Sequence, residues 1–288
     1  MEACGVTMEI GSFVALGDSF TEGLDDPAAD RSGYLGWADR FALRLAQQRP
    51  GHNEVSGHEL SGPAPGLRYA NLAVRGKLLS EVAAEQVPRA IAMAPDLVSI
   101  AAGGNDMLRP RADPDTLAEA FDEVVTTLLA VGCPVLIFTG FDPRFPVLRL
   151  IRGKVAAYNM HLRAIAGRHQ CHVVDLWSMN TLRDPRAWSA DRLHLSADGH
   201  RRVALRACEV MGVAVDEDWR ERWPSQGGTA SRYLGWLAAR QMDARWARQH
   251  AAPWVSRRLR GVSSGDGVQP KRPELGPVHG WPEAASAP

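Results

Sequence analysis

Phe13-Val14-Ala15-Leu16-Gly17-Asp18-Ser19-Phe20-Thr21-Glu22-Gly23 is the stretch from which the fold is read. Four apolar residues run without a break, stop at a glycine, and are followed at once by an acid and a hydroxyl. A short continuous apolar run bounded by a turn signal reads as a strand buried on both faces. The same pattern recurs at 67–72, at 97–101 before Gly103-Gly104, at 134–139 and at 172–176. Helical stretches separate these strands, over 34–48, 77–93, 113–131, 148–168 and 196–211. Asp113 is placed to cap the third of them, with Pro114 at its first position. Strands alternating with helices imply βαβ units, and right-handed crossovers stack such units into a three-layer α/β/α sandwich. Strand order is not legible at this level.

The remaining composition sets bounds. The chain has 288 residues, of which 45% are hydrophobic and 23% charged, ordinary proportions for a protein with a real core. Basic and acidic residues number 33 each, so the formal charge is zero, which argues against a dedicated nucleic-acid binder. Cys4, Cys133, Cys171 and Cys208 stand far apart and fit reduced thiols better than a disulfide framework. Neither a secretory leader nor a bilayer-length apolar run is visible, and the expected location is the cytoplasm.

Four short motifs follow the predicted elements in order: Gly17-Asp18-Ser19, Asn71 to Gly76, Gly103-Gly104-Asn105-Asp106, and Asp191-Arg192-Leu193-His194. A serine at the carboxyl end of a strand in an open α/β sheet lies where such folds bind ligands. Together the motifs supply what acyl transfer needs. A serine hydroxyl requires a base to take its proton, and histidine is the side chain poised for that near neutral pH. The imidazole must in turn be oriented by a carboxylate, and Asp191 can turn back onto His194 within one loop. The backbone N–H groups of Ser19 and Gly76, with the Asn105 amide, suit an oxyanion hole. Asp18 and Asn71 are expected to brace their loops, and His200 to pack or cap. The other histidines show no ligand spacing, so neither a metal nor a cofactor is expected.

On these residues the sequence resembles the SGNH hydrolases, the GDSL esterases and lipases. The family's block residues Ser, Gly, Asn and His match Ser19, Gly76, Asn105 and His194 in order, and the wording GDSFTEG with DRLHLSADGH is similar to a bacterial, actinobacterial branch. The resemblance spans residues 10–212. It implies a flavodoxin-like α/β/α fold with a five-stranded parallel sheet, and ester hydrolysis through Ser19, His194 and Asp191 without a metal. It leaves the ester open, from a short acyl group to a lipid, and leaves open acyl transfer or thioester cleavage by the same residues.

Substrate contacts are expected from loops at the strand ends, with Leu108, Phe141, Phe145 and Trp188 forming an apolar rim. Beyond residue 212 the composition changes: six of the nine tryptophans lie there, and between Arg222 and Arg260 eight arginines face one acid, Asp243. Residues 213–288 are therefore read as an Arg/Trp-rich extension, with a helix over about 228–250 and then a flexible tail. Its expected role is to pack on the catalytic domain. The alternative is an adaptor that docks on a membrane, a nucleic acid or a protein, and peripheral membrane contact is the disfavoured case because no single apolar stripe forms. The partner expected is a small-molecule or lipid ester, with no nucleic acid.

Overall fold

The computed structural model describes residues 10–28, 33–48, 66–145, 148–224 and 263–278. Its centre is strand β1, Ser12–Gly17, buried along its whole length. Phe13 and Ala15 enter one core and Val14 and Leu16 the other, which is why the run is apolar at every position rather than at alternate ones. Strands β2 (Arg68–Asn71), β3 (Leu97–Ala101), β4 (Val135–Phe138) and β5 (His172–Val174) join it as a parallel sheet. A sixth strand, β6 (Arg272–Pro277), pairs antiparallel with β2, and the sheet order is β5-β4-β3-β1-β2-β6.

Helices cover both faces. The short helix α1 (Ser19–Glu22) caps the end of β1. On one face α2 (Gly36–Gln47) lies against the sheet with α8 (Ala197–Val210), around Trp37, Phe41 and Val203. The other face carries α3 (Leu79–Glu81), the π-helical turn Val82–Gln86, α4 (Val87–Met93), α6 (Pro114–Ala130) and α7 (Arg152–His169). Between β3 and α6 lies α5 (Gly104–Met107). Asp113 Oδ2 accepts from Thr116 N at 3.1 Å, and Pro114 opens α6 as expected. The chain steps from β1 to β2 on one side and then to β3 on the other. That reversal opens a crevice at the carboxyl ends of β1 and β3, where doubly wound sheets place their ligands.

One feature differs from the sequence expectation. The sheet is mixed and six-stranded rather than five-stranded and parallel, because 272–277, expected within a flexible tail, supplies an edge strand. A Pro-Glu-Leu-Gly-Pro segment is legitimate there: only one side of an edge strand needs its donors. Residues 213–224 pack on α8, with Trp219 nearly buried and the Arg202 guanidinium bonded to the Trp219 and Glu221 carbonyls beneath the Trp223 ring. The expected helix over 228–250 lies outside the described residues.

Glycines mark where elements touch. A Cβ at Gly199, in the first turn of α8, would lie 2.2 Å from the Ala187 carbonyl oxygen. This explains a glycine where a capping box would place Glu: Ser196 alone caps the helix, its Oγ accepting from Gly199 N at 3.2 Å. Gly199→Ala is expected to cost about 1–3 kcal/mol by overpacking. Gly167→Ala, in α7 with open space around it, is expected to stabilise by about 0.5–1 kcal/mol. Urea unfolding of both variants measures the contrast; equal effects of one sign would contradict the packing described.

Candidate active site

The site is built from four loops at the carboxyl end of the sheet. Gly17 ends β1 with φ +148°, and a Cβ there would lie 2.5 Å from the Ala101 carbonyl oxygen at the end of β3. Buried Gln86 grips the same residue, accepting from its N–H at 2.8 Å and donating to its carbonyl at 2.9 Å. The next residue, Asp18, caps α1 through Phe20 N at 3.1 Å. Ser19 is thereby set at the first helical position, where backbone N–H groups have no partner within the helix.

His194 Nε2 lies 3.0 Å from Ser19 Oγ, and its Nδ1 lies 2.5 Å from Asp191 Oδ2. The Asp-x-x-His spacing works because the loop folds back on itself. Trp188 and Leu195 form an antiparallel bridge, Ser189 N donates to the His194 carbonyl, and Arg192 takes a left-handed φ of +56°. Asp191 Oδ1 then accepts from Leu193 N and His194 N at 2.9 and 3.0 Å. Burial alone would raise the Asp191 pKa. The His194 ring bond and charge, the His194 backbone N–H and the Ser189 hydroxyl outweigh it and hold this carboxyl well below the usual carboxylate range.

The three expected oxyanion donors are brought together around one cavity, in two different states. Among the described residues, neither Ser19 N nor Gly76 N donates to another group. The Asn105 amide nitrogen, by contrast, lies 3.0 Å from both Asp18 Oδ2 and the Lys77 carbonyl, so an arriving oxyanion has to share a hydrogen already bonded. Gly76 follows Arg75, whose N–H donates to Glu22 Oε2 at 2.8 Å and whose guanidinium is paired with the same carboxylate. Asn71 braces this loop from below: it donates to the Thr21 carbonyl at 2.9 Å and accepts from Ala73 N at 3.1 Å.

A cavity of about 340 Å³ opens from Ser19 and His194, a size suited to a small organic ligand. Leu108, Phe141 and Trp188 line it, together with Leu148, Ile151 and Tyr158. Phe145, the fourth expected contact, is not among the lining residues and stands edge-on to Trp188 at 5.8 Å between ring centroids. His200 also borders the cavity, but its ring is fully buried and its Nδ1 accepts from Trp37 N at 3.2 Å; burial drives its pKa well down and keeps it neutral.

Sequence reasoning missed Asp25. Its Oδ2 lies 2.7 Å from Ser189 Oγ, which is also 2.7 Å from Asp191 Oδ1, and 3.9 Å from His194 Nδ1. The density of acids just after the Ser19 motif was the available signal. Asp25, Asp191 and His194 offer three ligand atoms within 4.8 Å of one another. A cation held there would compete for the His194 nitrogen that Asp191 already occupies.

With this geometry in view, a model of the GDSL-like lipase/acylhydrolase family matches residues 15–202. The chain belongs to that family. No curated protein matches at a significant level. Among solved structures, a tryptophan-to-isoleucine variant of Axe2, an acetyl xylan esterase from Geobacillus stearothermophilus, is similar with a TM-score of 0.58. It is 20% identical over 73% of this chain and 100% of that one. LAE5, an alpha/beta hydrolase enzyme from the metagenome of Lake Arreo, Spain, follows at 0.57 and 20% identity over 72% and 98%. TesA matches at 0.54 and 21% identity over 69% and 97%. Further matches are catalytic mutants of Axe2 in which a serine, a histidine or an aspartate is replaced by alanine. At these identities the likeness establishes the fold. Among the described residues, no helix is long and apolar enough to cross a membrane.

Asp18 yields a prediction on stability. Burial raises its pKa from 3.8 to about 6, against the opposing pull of Phe20 N–H and the His194 charge. Between those values the folded protein keeps a proton that the unfolded chain has released, so this group subtracts stability as pH rises from about 4 to about 6 and adds no slope beyond. Asp18→Asn removes the titration. The urea midpoint of the wild type is expected to fall relative to that of the variant between pH 4 and 6.5, and parallel curves would contradict a buried, protonated Asp18.

Proposed function

We propose that the protein hydrolyses a carboxylic ester through a serine nucleophile, and that the acyl group is apolar. The observation that carries this reading is the continuous hydrogen-bonded line from Asp191 through His194 to Ser19 Oγ, opening into an apolar cavity beside two uncommitted backbone N–H groups. The family membership supports hydrolase chemistry at this site.

In the proposed reaction Ser19 Oγ attacks the ester carbonyl as its proton passes to His194 Nε2. The carbonyl oxygen, now negative, is met by the Ser19 and Gly76 N–H groups and by Asn105. Asp191 stabilises the imidazolium through Nδ1 and stays ionised throughout. Collapse of the tetrahedral species breaks the C–O bond, and the departing alcohol takes the proton from His194. Water then attacks the acyl-serine, its proton goes to His194, and the second collapse returns that proton to Ser19 with release of the acid. Each oxyanion donor is worth about 2.7–4 kcal/mol of transition-state stabilisation. The apolar lining from Leu108, Phe141 and Trp188 favours a hydrocarbon acyl chain over acetyl groups on a sugar.

A series of p-nitrophenyl esters from acetate to decanoate tests the reading. Hydrolysis is expected, with kcat/KM rising beyond acetate, and Ser19→Ala is expected to reduce it to background. Asp191→Asn is expected to lower kcat on the order of 10³–10⁴-fold. Because Asp191 is held ionised well below neutrality, it contributes no acid limb to the rate profile near neutral pH. Absence of both turnover and phosphonate labelling at Ser19 would overturn the proposed function.

A further inference from the structure

The segment 263–278 touches both loops that carry the uncommitted N–H groups. At its start, Ser263 to Asp266 form a turn tied internally: Asp266 Oδ2 accepts from Ser263 N at 2.9 Å, and Ser263 Oγ accepts from Gly265 N at 3.2 Å. This turn sits directly on Arg75 and Gly76. A Cβ at Gly265 would lie 2.0 Å from the Arg75 carbonyl oxygen; one at Gly76 would lie 2.5 Å from Ser263 Oγ and 2.9 Å from Ser264 Oγ. Ser264 borders the catalytic cavity itself.

A few residues on, Lys271 grips the other loop. Its ammonium donates to the carbonyls of Glu22 at 2.6 Å, Tyr34 at 2.9 Å and Leu35 at 2.9 Å, and it is paired with the buried Asp39 carboxylate on α2. Glu22 is the last residue of α1, the helix that Ser19 opens, and its carboxylate in turn holds Arg75, the neighbour of Gly76. The segment then continues as β6 along β2, the strand that leads into the Gly76 loop. A strand that merely covered a sheet edge would need backbone pairing alone. This one also converges a charged donor on the nucleophile helix and a tight turn on the oxyanion glycine.

We propose that residues 263–278 are part of the catalytic apparatus: they set the spacing between the Ser19 and Gly76 N–H groups, with Lys271 as the positioning residue on the Ser19 side and the Ser263–Asp266 turn on the Gly76 side. The inference rests on the ester-hydrolase reading above. Its physical basis is that oxyanion donors act only when held within a fraction of an ångström of the developing charge, and that a displacement of about 1 Å can cost 10²-fold in rate. Lysine suits the position because a compact ammonium can aim three N–H groups at converging carbonyls, whereas a planar guanidinium presents its donors in a fixed fork.

The test is made on the full chain. Lys271→Met is combined with Asp39→Asn so that no buried carboxylate is left without its partner, and Gly265→Ala displaces the turn from the Arg75 carbonyl independently. Active sites are counted by titration with a p-nitrophenyl alkylphosphonate, and kcat is expressed per titrated site. The expected result is a fall in per-site kcat of about tenfold or more in both variants, a KM within about twofold of wild type, and a matching fall in the rate of phosphonylation. Lys271→Arg, with Asp39 retained, is expected to give a per-site kcat between those of the double variant and the wild type. Fewer titratable sites with wild-type kcat at each would mean that the segment serves folding alone, and would overturn the proposal. Should the double variant fail to fold, Gly265→Ala decides by the same criterion. Hydrogen–deuterium exchange separates this inference from the reading beneath it. Faster exchange at 18–24 and 74–78 in the variants is expected even if the wild type turns over no ester, and unchanged exchange would refute the positioning role on its own.

Discussion

The catalytic end of the molecule depends on how closely β1 approaches β3 at Gly17. With the Ala101 carbonyl 2.5 Å from where a Cβ would stand, no other residue lets the two strands end side by side there. That contact puts the Ser19 motif and the Asn105 motif at one point of the crevice. Gln86 seals it by satisfying both backbone groups of Gly17 from a π-helical turn, a geometry often found where a helix serves a site rather than a core. Charge, capping and loop shape then follow. Asp18 caps the helix that Ser19 opens, Asn105 is drawn to Asp18, and the crevice is narrow enough for His194 to span.

Much of this is legible in the residues because each depends on a local rule. A strand buried on two faces must be apolar throughout, so β1 declares itself over Phe13 to Leu16. Asp191 and His194 are three apart, and a loop so short can close in few ways; the left-handed Arg192 is the one detail that spacing does not reveal. Asp113 and Pro114 cap α6 by chemistry that lies within four residues. The bracing role of Asn71 is readable in part for the same reason, since its side-chain oxygen accepts from Ala73 N two positions on.

What was not legible depends on partners distant in sequence. Phe145 carries an apolar side chain in ring contact with Trp188, yet Trp188 lines the cavity and Phe145 does not, and no pattern in the sequence separates the two. Asp25 becomes part of the site only because Ser189, 164 positions away, comes to rest between two carboxylates. Strand β6 is the clearest instance. Its sequence, with two prolines and a glycine, lacks the apolar run of a central strand, and only the free edge of β2 makes a strand of it. Composition read as a tail, and the sheet made use of it.

Lys271 meets the Glu22 carbonyl across 249 positions of sequence. The Ser19–His194 contact closes a loop of 175 positions, and because closure entropy grows only with the logarithm of length the two cost nearly the same. During synthesis the serine emerges well ahead of the ammonium that braces its helix. The Ser–His–Asp line is complete by residue 194, whereas the ammonium on the Glu22 carbonyl comes from residue 271, so a chain that stops between the two would have every member of the line and lack the group proposed to position its helix.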